Sequence, residues 1–260
     1  MFKLFNKGTC PIGIDVSDTY LKLVQLKKVD GEISLVAGAS RTCPVDITPG
    51  SGVWQRWAID NLKEILSTRK FKGRDLVATI PAADVFIENM KASKNSNGCL
   101  EESVLAKVRH KLPFEAEHGL VRCITSENNS LVAIVADRKK IDRHLAVYEK
   151  ANLQIKSLAV WPTALISSYT SFFGRRQADR DTVVELVDVE PNCTNVVICR
   201  HAGLMYARSI NIGSNRLDSP QSHEAMNRLI LELSNCRGQF NSMYPKTDIK
   251  RLIFVSGQAA

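Results

Sequence analysis

Residues 13–22, with the sequence GIDVSDTYLK, decide the fold that the sequence predicts. Apolar residues recur up to Val16 and again from Tyr20, and a small polar tip at residues 17–19 separates the two runs. This arrangement is typical of a β-hairpin. It leaves two interpretations open: the tip holds the phosphates of a nucleotide, or its Ser17 and Thr19 hydroxyls only satisfy the backbone of the hairpin itself.

Composition limits the class of protein. With 260 residues, 44% of them hydrophobic and 24% charged, the chain is predicted to be folded and globular. The formal net charge of +8 would attract anions, but the basic residues are scattered and lack interleaved aromatic residues, so nucleic-acid binding is not predicted. Seven cysteines without a CxxC pair indicate a reducing compartment, and neither a signal peptide nor a membrane-spanning run is visible. We therefore expect a cytoplasmic protein.

The chain before residue 181 predicts two interleaved parts. Residues 1–83 contain three antiparallel strands, a helix with apolar residues at helical spacing over residues 53–66, and a buried strand. Residues 84–157 alternate shorter strands and helices, which predicts an inserted α+β subdomain. Residues 158–180 are then expected to rejoin residues 1–83 as the first subdomain.

The opening pattern returns in residues 181–260. Three apolar runs separated by short polar tips are followed by a long amphipathic helix and by a strand at residues 251–255. Only 38 residues, 213–250, separate this second meander from its final strand. The sequence thus predicts an α/β protein with a duplicated fold, whose second half is abbreviated.

The duplication, with an acidic residue at the end of each first strand, resembles the actin-like (ribonuclease H-like) ATPase fold. In that fold, two hairpin tips hold the phosphates of a nucleotide. Residues 13–22 look like the first phosphate loop, VDVEPNCTNV at 187–196 like the second, and LIFVSGQAA at 252–260 like the adenosine loop. Lys22 also lies seven residues after Asp15, as the lysine does in that superfamily.

Within this superfamily the chain resembles the PilM family of type IV pilus assembly proteins. That family is related to the division protein FtsA and to the cytoplasmic part of the type II secretion L protein, and its inserted subdomain matches residues 84–157. The segments that carry the resemblance are FKLFNK (2–7), IGIDVSDTYLKLVQL (12–26), LVATIPAADVFI (76–87), KLPFEAEHGLV (111–121), the run from LVAIVADRKK to WPTAL (131–165) and ARSINIGSNRL (207–217).

The resemblance implies a nucleotide cleft, and this sequence departs from its pattern. Ser17 replaces a glycine in the first loop, Glu190 and Pro191 replace a glycine and an N–H donor in the second, and Gln258 replaces a glycine in the adenosine loop. A carboxylate about 5 Å from one phosphate charge costs about 3 kcal/mol at an effective dielectric constant of about 20, which is about two decades of affinity. The residues of this vestigial cleft are predicted to be Asp15, Ser17, Thr19, Lys22, Asp188 and Gly257.

We therefore expect no catalytic residue, no metal site and no cofactor, with Mg-ATP bound weakly at most. The resemblance implies a scaffold that binds the cytoplasmic tail of a PilN-type inner-membrane protein, in a groove between the first subdomain and the inserted one. Such a protein would be peripheral to the inner membrane through that partner alone, and homo-oligomer formation is left open. Two alternatives also remain open: an ATP-binding or ATP-hydrolysing actin-like protein, and a component of type II secretion.

Overall fold

The computed structural model describes residues 8–92, 100–173, 176–220 and 222–256. These residues form two compact units. The first unit comprises the described residues up to Pro81 together with Arg138–Val160. The second unit comprises Ala82–Asp137 and the described residues from Trp161 onward.

Both units contain strands and helices. The strands are β1 (Ile12–Val16), β2 (Tyr20–Val29), β3 (Glu32–Thr42), β4 (Asp75–Ile80), β5 (Val85–Lys91), β6 (Gly119–Thr125), β7 (Ser130–Asp137), β8 (Gln154–Val160), β9 (Val183–Val189), β10 (Thr194–Arg200), β11 (Gly203–Ile210) and β12 (Arg251–Ser256). The helices are α1 (Gly52–Thr68), α2 (Leu100–Val108), α3 (Arg138–Lys150), α4 (Trp161–Phe172), α5 (Gln177–Arg180), α6 (Ser214–Leu217) and α7 (Ser222–Met243).

The first unit is built on a five-stranded sheet with the order β3-β2-β1-β4-β8. The first three strands form the predicted antiparallel meander, and β4 and β8 continue the sheet in parallel. The two-residue turn between β2 and β3 has φ angles of 50° at Asp30 and 85° at Gly31. Both angles lie in the left-handed region that a type I′ hairpin turn requires, which is why an Asp-Gly pair occurs there.

Helix α1 packs one apolar face on this sheet. The Ser51 hydroxyl accepts a hydrogen bond from the Trp54 backbone N–H at 3.1 Å, and so caps the N-terminus of the helix. The buried positions recur every three or four residues, as the sequence predicted for this helix. They are Trp54, Ala58, Leu62, Ile65 and Leu66.

The second unit contains two sheets. The order β11-β10-β9-β12 describes a four-stranded sheet, and β5-β7-β6 form a three-stranded antiparallel sheet. Helix α7 packs on the four-stranded sheet through Leu229, Cys236 and Phe240. In this sheet β9 pairs antiparallel with β10 and parallel with β12, which repeats the pairing of β1 with β2 and with β4. The predicted duplication is therefore present, with five strands in the first sheet and four described strands in the second.

The two compact units group the described residues differently from the predicted subdomains, whose boundaries stay a prediction. Strand β8, most of which was assigned to the inserted subdomain of residues 84–157, pairs in parallel with β4, with Leu158 opposite Ala78. Residues 138–160 therefore belong to the first unit, while residues 161–180 group with the second unit instead of the first subdomain. The reason is that apolar periodicity locates a strand but does not reveal its neighbour in the sheet.

Candidate functional site

The first hairpin loop, between β1 and β2, is closed by its own hydrogen bonds. The Ser17 hydroxyl oxygen accepts hydrogen bonds from the backbone N–H groups of Thr19 at 3.3 Å and Tyr20 at 3.2 Å. The Ser17 N–H donates to the Tyr20 carbonyl oxygen at 2.9 Å. A phosphate loop works by aiming such N–H groups at an anion. Here three of them are bonded inside the hairpin, which favours the interpretation of the tip as a turn.

Asp15 and Lys22 lie opposite each other on β1 and β2. The Tyr20 hydroxyl donates to Asp15 Oδ2 at 3.1 Å, and Lys22 Nζ lies 3.8 Å from the centroid of the Tyr20 ring, a cation–π distance. Both charged groups that the sequence assigned to a nucleotide therefore contact one aromatic side chain. Tyr20 was not among the predicted site residues, although its place directly after the polar tip could have suggested it.

The position of the first loop is fixed from behind by Trp54. Its indole N–H donates to the Ser17 carbonyl oxygen at 3.4 Å, and its ring meets the His144 ring edge-on, with the centroids 5.9 Å apart. Both side chains are buried, and they come from α1 and α3. Helices α1 and α3 thus hold the backbone of this loop in place.

The second loop follows β9 in the second unit. Asp188 is buried near the end of β9 and accepts a hydrogen bond from the Asn195 side-chain amide at 3.3 Å. The Glu190 N–H donates to the Cys193 carbonyl oxygen at 2.9 Å, and Pro191 has no N–H. The first two residues of this loop therefore offer no N–H group to an anion.

A segment 20 residues further along the chain closes the second loop. The N–H groups of Ser214 and Asn215 donate to the carbonyl oxygens of Glu190 and Pro191 at 2.9 and 3.0 Å. A Cβ atom on Gly213 would collide with both of these oxygens and with the Cys193 nitrogen, so only glycine fits there. The carbonyl oxygens of the first two loop residues thus accept hydrogen bonds from the same chain.

The electrostatic surroundings of the second loop are acidic. Burial raises the pKa of the Cys193 thiol, and the negative charges of Glu190 and Asp188 raise it further, whereas a hydrogen bond with Ser209 lowers it. The same two carboxylates that disfavour a thiolate would disfavour a phosphate.

The described residues among the predicted site residues lie at two places in the fold. Asp15, Ser17, Thr19 and Lys22 share the first hairpin, and Asp188 stands at the second loop. Gly257 lies outside the described residues. The sequence did not single out Gly213, because its role depends on contacts with residues about 20 positions away. It also missed a groove of about 840 Å³ beside β5 and β11 in the second unit.

Two features are absent from the described ranges. No group of three or more His, Cys, Asp or Glu side chains is arranged there to hold a metal ion. None of the described helices combines the length and apolarity needed to cross a membrane.

The family model for type IV pilus assembly protein PilM matches residues 13–223. The chain belongs to the PilM family. The match extends from the first hairpin through the three-stranded sheet and the second hairpin to the start of α7. The family predicted from the sequence is therefore confirmed. A comparison with curated proteins gave no match.

Solved structures support the fold of this PilM family member. The PilM–PilN type IV pilus biogenesis complex matches with a TM-score of 0.72 and 17% identity, over 95% of this chain and 81% of that one. The cytoplasmic domain of EpsL, an inner-membrane component of the type II secretion system of Vibrio cholerae, matches with a TM-score of 0.53 and 11% identity. This match covers 77% of this chain and 71% of that one. An exopolyphosphatase from Cytophaga hutchinsonii matches with a TM-score of 0.52 and 11% identity, over 95% of this chain and 66% of that one. At these identities the likeness shows the fold, which is the predicted actin-like one.

Proposed function

We propose that this protein is a scaffold of type IV pilus assembly that binds the cytoplasmic tail of a PilN-type inner-membrane protein and holds no nucleotide. It would lie on the cytoplasmic side of the inner membrane, attached through that partner. Membership of the PilM family supports the role in pilus assembly. The partner is suggested by the similarity to the protein of the PilM–PilN complex.

The observation that carries the non-enzymatic part of this proposal is the closure of the second loop by residues 213–215. An anion-binding loop needs free N–H groups and no nearby carboxylate. Here the Glu190 N–H is bonded to Cys193, the Glu190 and Pro191 carbonyl oxygens accept from Ser214 and Asn215, and the Glu190 carboxylate adds a negative charge. A triphosphate would have to displace these contacts before it could bind.

The net charge of the chain fits the proposed location. The formal charge of +8 would be attracted to the anionic lipids of the cytoplasmic leaflet, although only within about a Debye length of the surface. This attraction is too diffuse to hold the protein at the membrane alone. It would assist a specific partner that brings the chain there.

A second candidate function, ATP binding, is favoured by the facing positions of Asp15 and Lys22 on β1 and β2. The two functions are separated by thermal unfolding with and without millimolar Mg-ATP. A site with a dissociation constant of about 10 µM would stabilise the fold by about 2.7 kcal/mol at 1 mM ligand, because binding shifts the unfolding equilibrium. We expect no shift, and a shift that Lys22→Ala abolishes would establish the ATP-binding function instead.

The partner is tested by titrating the protein with a synthetic peptide of the cytoplasmic tail of the PilN-type protein from the same organism. A peptide of the same composition in scrambled order is the control. We expect saturable binding of the native peptide alone. The tail of the corresponding type II secretion protein, tested in parallel, decides between the pilus and the secretion apparatus, and a protein that binds neither tail is not this scaffold.

A further inference from the structure

The turn that follows α1, residues 69–74, is rich in basic residues, and we call it the basic loop. Its sequence is RKFKGR, and Arg69, Lys70, Lys72 and Arg74 are all exposed. Phe71, between them, packs against the core of the first unit. The loop therefore keeps its apolar residue on the core and presents its cations to the surroundings.

Hydrogen bonds fix the backbone of the basic loop at two points. The Gln25 side chain, which is 1% exposed, donates to the Lys72 carbonyl oxygen and accepts from the Lys72 N–H, both at 2.7 Å. The Arg74 carbonyl oxygen accepts from the Gln154 N–H at 2.8 Å. The loop is thus tied to β2 and β8, and its position relative to the sheet is defined.

Gln25 also brings further cations next to the basic loop. Lys27 lies two residues after Gln25 on the same face of β2, and Lys28 follows it. Both lysines are exposed. Basic residues that are scattered in the sequence therefore meet at one end of the first unit. We call Lys27, Lys28 and the four cations of the basic loop the basic patch.

The charge of the basic patch is only partly neutralised. None of its side chains forms an ion pair with another residue in the described ranges. Asp75, which follows the loop, is already paired with Lys156 at 3.3 Å. Asp30 and Glu32, at the turn between β2 and β3, oppose part of the charge. Six cations against these two carboxylates leave an excess of four positive charges.

The dipole of α1 accounts for only part of the basic loop. Cations at the C-terminus of a helix are stabilising, but the effect falls off within the last turn. Because α1 ends at Thr68, Arg69 and Lys70 are close enough to contribute, whereas Lys72 and Arg74 lie further along the chain. A negatively charged partner would account for all of them.

Exposed apolar residues on the same hairpin favour a membrane over a nucleic acid as that partner. Val29, directly after Lys28, is 51% exposed, and Leu35 on β3 is 65% exposed. Cations beside exposed apolar side chains suit the headgroup region of a bilayer. A nucleic-acid surface would instead need aromatic side chains that are free to stack on bases, and Phe71 packs against the core.

We propose that the basic patch is the surface through which this protein contacts the anionic lipids of the cytoplasmic leaflet. The inference rests on the proposed function, in which the partner brings the chain to the inner membrane, and it adds which surface faces the lipid. Each Lys or Arg near such a membrane strengthens binding about fivefold, so an excess of about four charges corresponds to a dissociation constant of about 1 mM. The patch therefore binds weakly by itself and orients a protein that the partner already holds.

The test is co-sedimentation of the full chain with lipid vesicles at low ionic strength. We expect binding to vesicles made of equal parts of phosphatidylglycerol and phosphatidylcholine, and no binding to vesicles of phosphatidylcholine alone. Salt at about 1 M, where the Debye length is about 3 Å, should release the protein. Equal binding to both kinds of vesicle would overturn the proposal, because the attraction would then not depend on charge.

Two double variants separate the basic patch from the net charge. Lys70→Gln with Lys72→Gln removes two cations of the patch and should weaken binding to the anionic vesicles about thirtyfold. Arg228→Gln with Lys246→Gln removes as much charge from exposed positions of the second unit, and should weaken binding less than about twofold. All four positions are exposed, so neither double variant should disturb folding. Equal weakening by both would overturn the proposed surface.

Titration with the synthetic tail peptide keeps this proposal separate from the scaffold function. The Lys70→Gln, Lys72→Gln double variant should bind the tail with unchanged affinity. An unaltered protein that binds the tail but not the anionic vesicles would overturn the lipid surface and leave the scaffold function intact. Vesicle binding that depends on the patch, without binding of the tail, would support the lipid surface and contradict the scaffold function.

A DNA duplex tests the other class of anionic partner. We expect the duplex to bind more weakly than the anionic vesicles do. Tighter binding of the duplex, lost in the Lys70→Gln, Lys72→Gln double variant, would identify the basic patch as a nucleic-acid surface and overturn the proposal.

Discussion

The backbone N–H of Ser214 donates to the carbonyl oxygen of Glu190 at 2.9 Å, which joins the second hairpin loop to the start of α6. The contact is made without any side chain of either residue, so it depends on how closely the two backbones approach. Gly213 permits that approach, since any larger residue would collide with the loop. The stability of the second unit is therefore coupled to this closure of the second loop.

Gly213→Ala should lower the free energy of unfolding by about 3 kcal/mol, the upper end for forcing extra atoms into a packed site. The added Cβ would displace the Glu190 and Pro191 carbonyl oxygens and break their hydrogen bonds. Gly238→Ala is the matched control, because its Cβ meets nothing within 4 Å on α7 and alanine favours the helix by about 0.5 to 1 kcal/mol. Denaturant unfolding measures the free energy of unfolding of both variants. Equal values for the two variants would show that the second loop moves aside for the added Cβ atom at little cost.

Arg237→Leu should destabilise the second unit by about 3 kcal/mol, because it leaves a buried carboxylate without its ion-pair partner. Arg237 Nη2 lies 2.7 Å from Glu185 Oε2, and Glu185 is 0% exposed. Adding Glu185→Gln in the same chain should restore most of the loss, since the remaining group is then neutral. Lys250→Ala, which removes one member of an exposed pair with Asp248, should cost less than about 1 kcal/mol in the same denaturant titration.

Local patterns in the sequence were sufficient to locate most elements of the fold. The polar tip at Ser17 predicted the first hairpin, and the spacing of Trp54 and Ala58 predicted α1, because both depend on residues close together in the chain. The repeat of the meander then gave the duplicated architecture. The resemblance in ordered segments gave the family, which the match over residues 13–223 confirmed.

Features that depend on distant residues were not predicted. Strand β8 was assigned mainly to the inserted subdomain, because nothing in residues 154–160 indicates that they pair with β4. No local pattern in the sequence indicates the role of Gly213, because that role depends on its close approach to Glu190. The groove beside β5 and β11 was not predicted either, since an open strand edge is a property of sheet order and leaves no periodic signal in the sequence. The role of the predicted cleft residues in nucleotide binding stays a prediction.

Cys199 should make the second unit less stable as the pH rises above 9. Burial raises the pKa of its thiol from the ordinary value of 9.0 to about 12. Between these values the folded chain keeps the proton and the unfolded chain releases it, so the stabilising contribution is complete below pH 9 and declines toward pH 12.

The check is denaturant unfolding at several pH values from 8.5 to about 10.5, a window set by that raised pKa. Cys199→Ala should make the decline shallower by up to about 1.4 kcal/mol per pH unit, the effect of one proton. Val197→Ala, at another buried position of β10, should lower stability equally at every pH. Parallel curves for the unaltered chain and Cys199→Ala would contradict the assignment.

Asn89→Asp should loosen the contact between β5 and β11. The Asn89 amide both accepts from the N–H and donates to the carbonyl oxygen of Ala207, at 3.0 and 2.8 Å. A carboxylate keeps the first bond, loses the second and faces the carbonyl oxygen with a negative charge, so we expect a loss of about 2 kcal/mol in the free energy of unfolding. Asn227→Asp makes the same chemical change at an exposed position of α7 and should be nearly neutral. Amide exchange locates the effect: the Ala207 N–H should exchange faster in Asn89→Asp and not in Asn227→Asp, whereas slow exchange in both would mean that the amide bridge does not join the two strands.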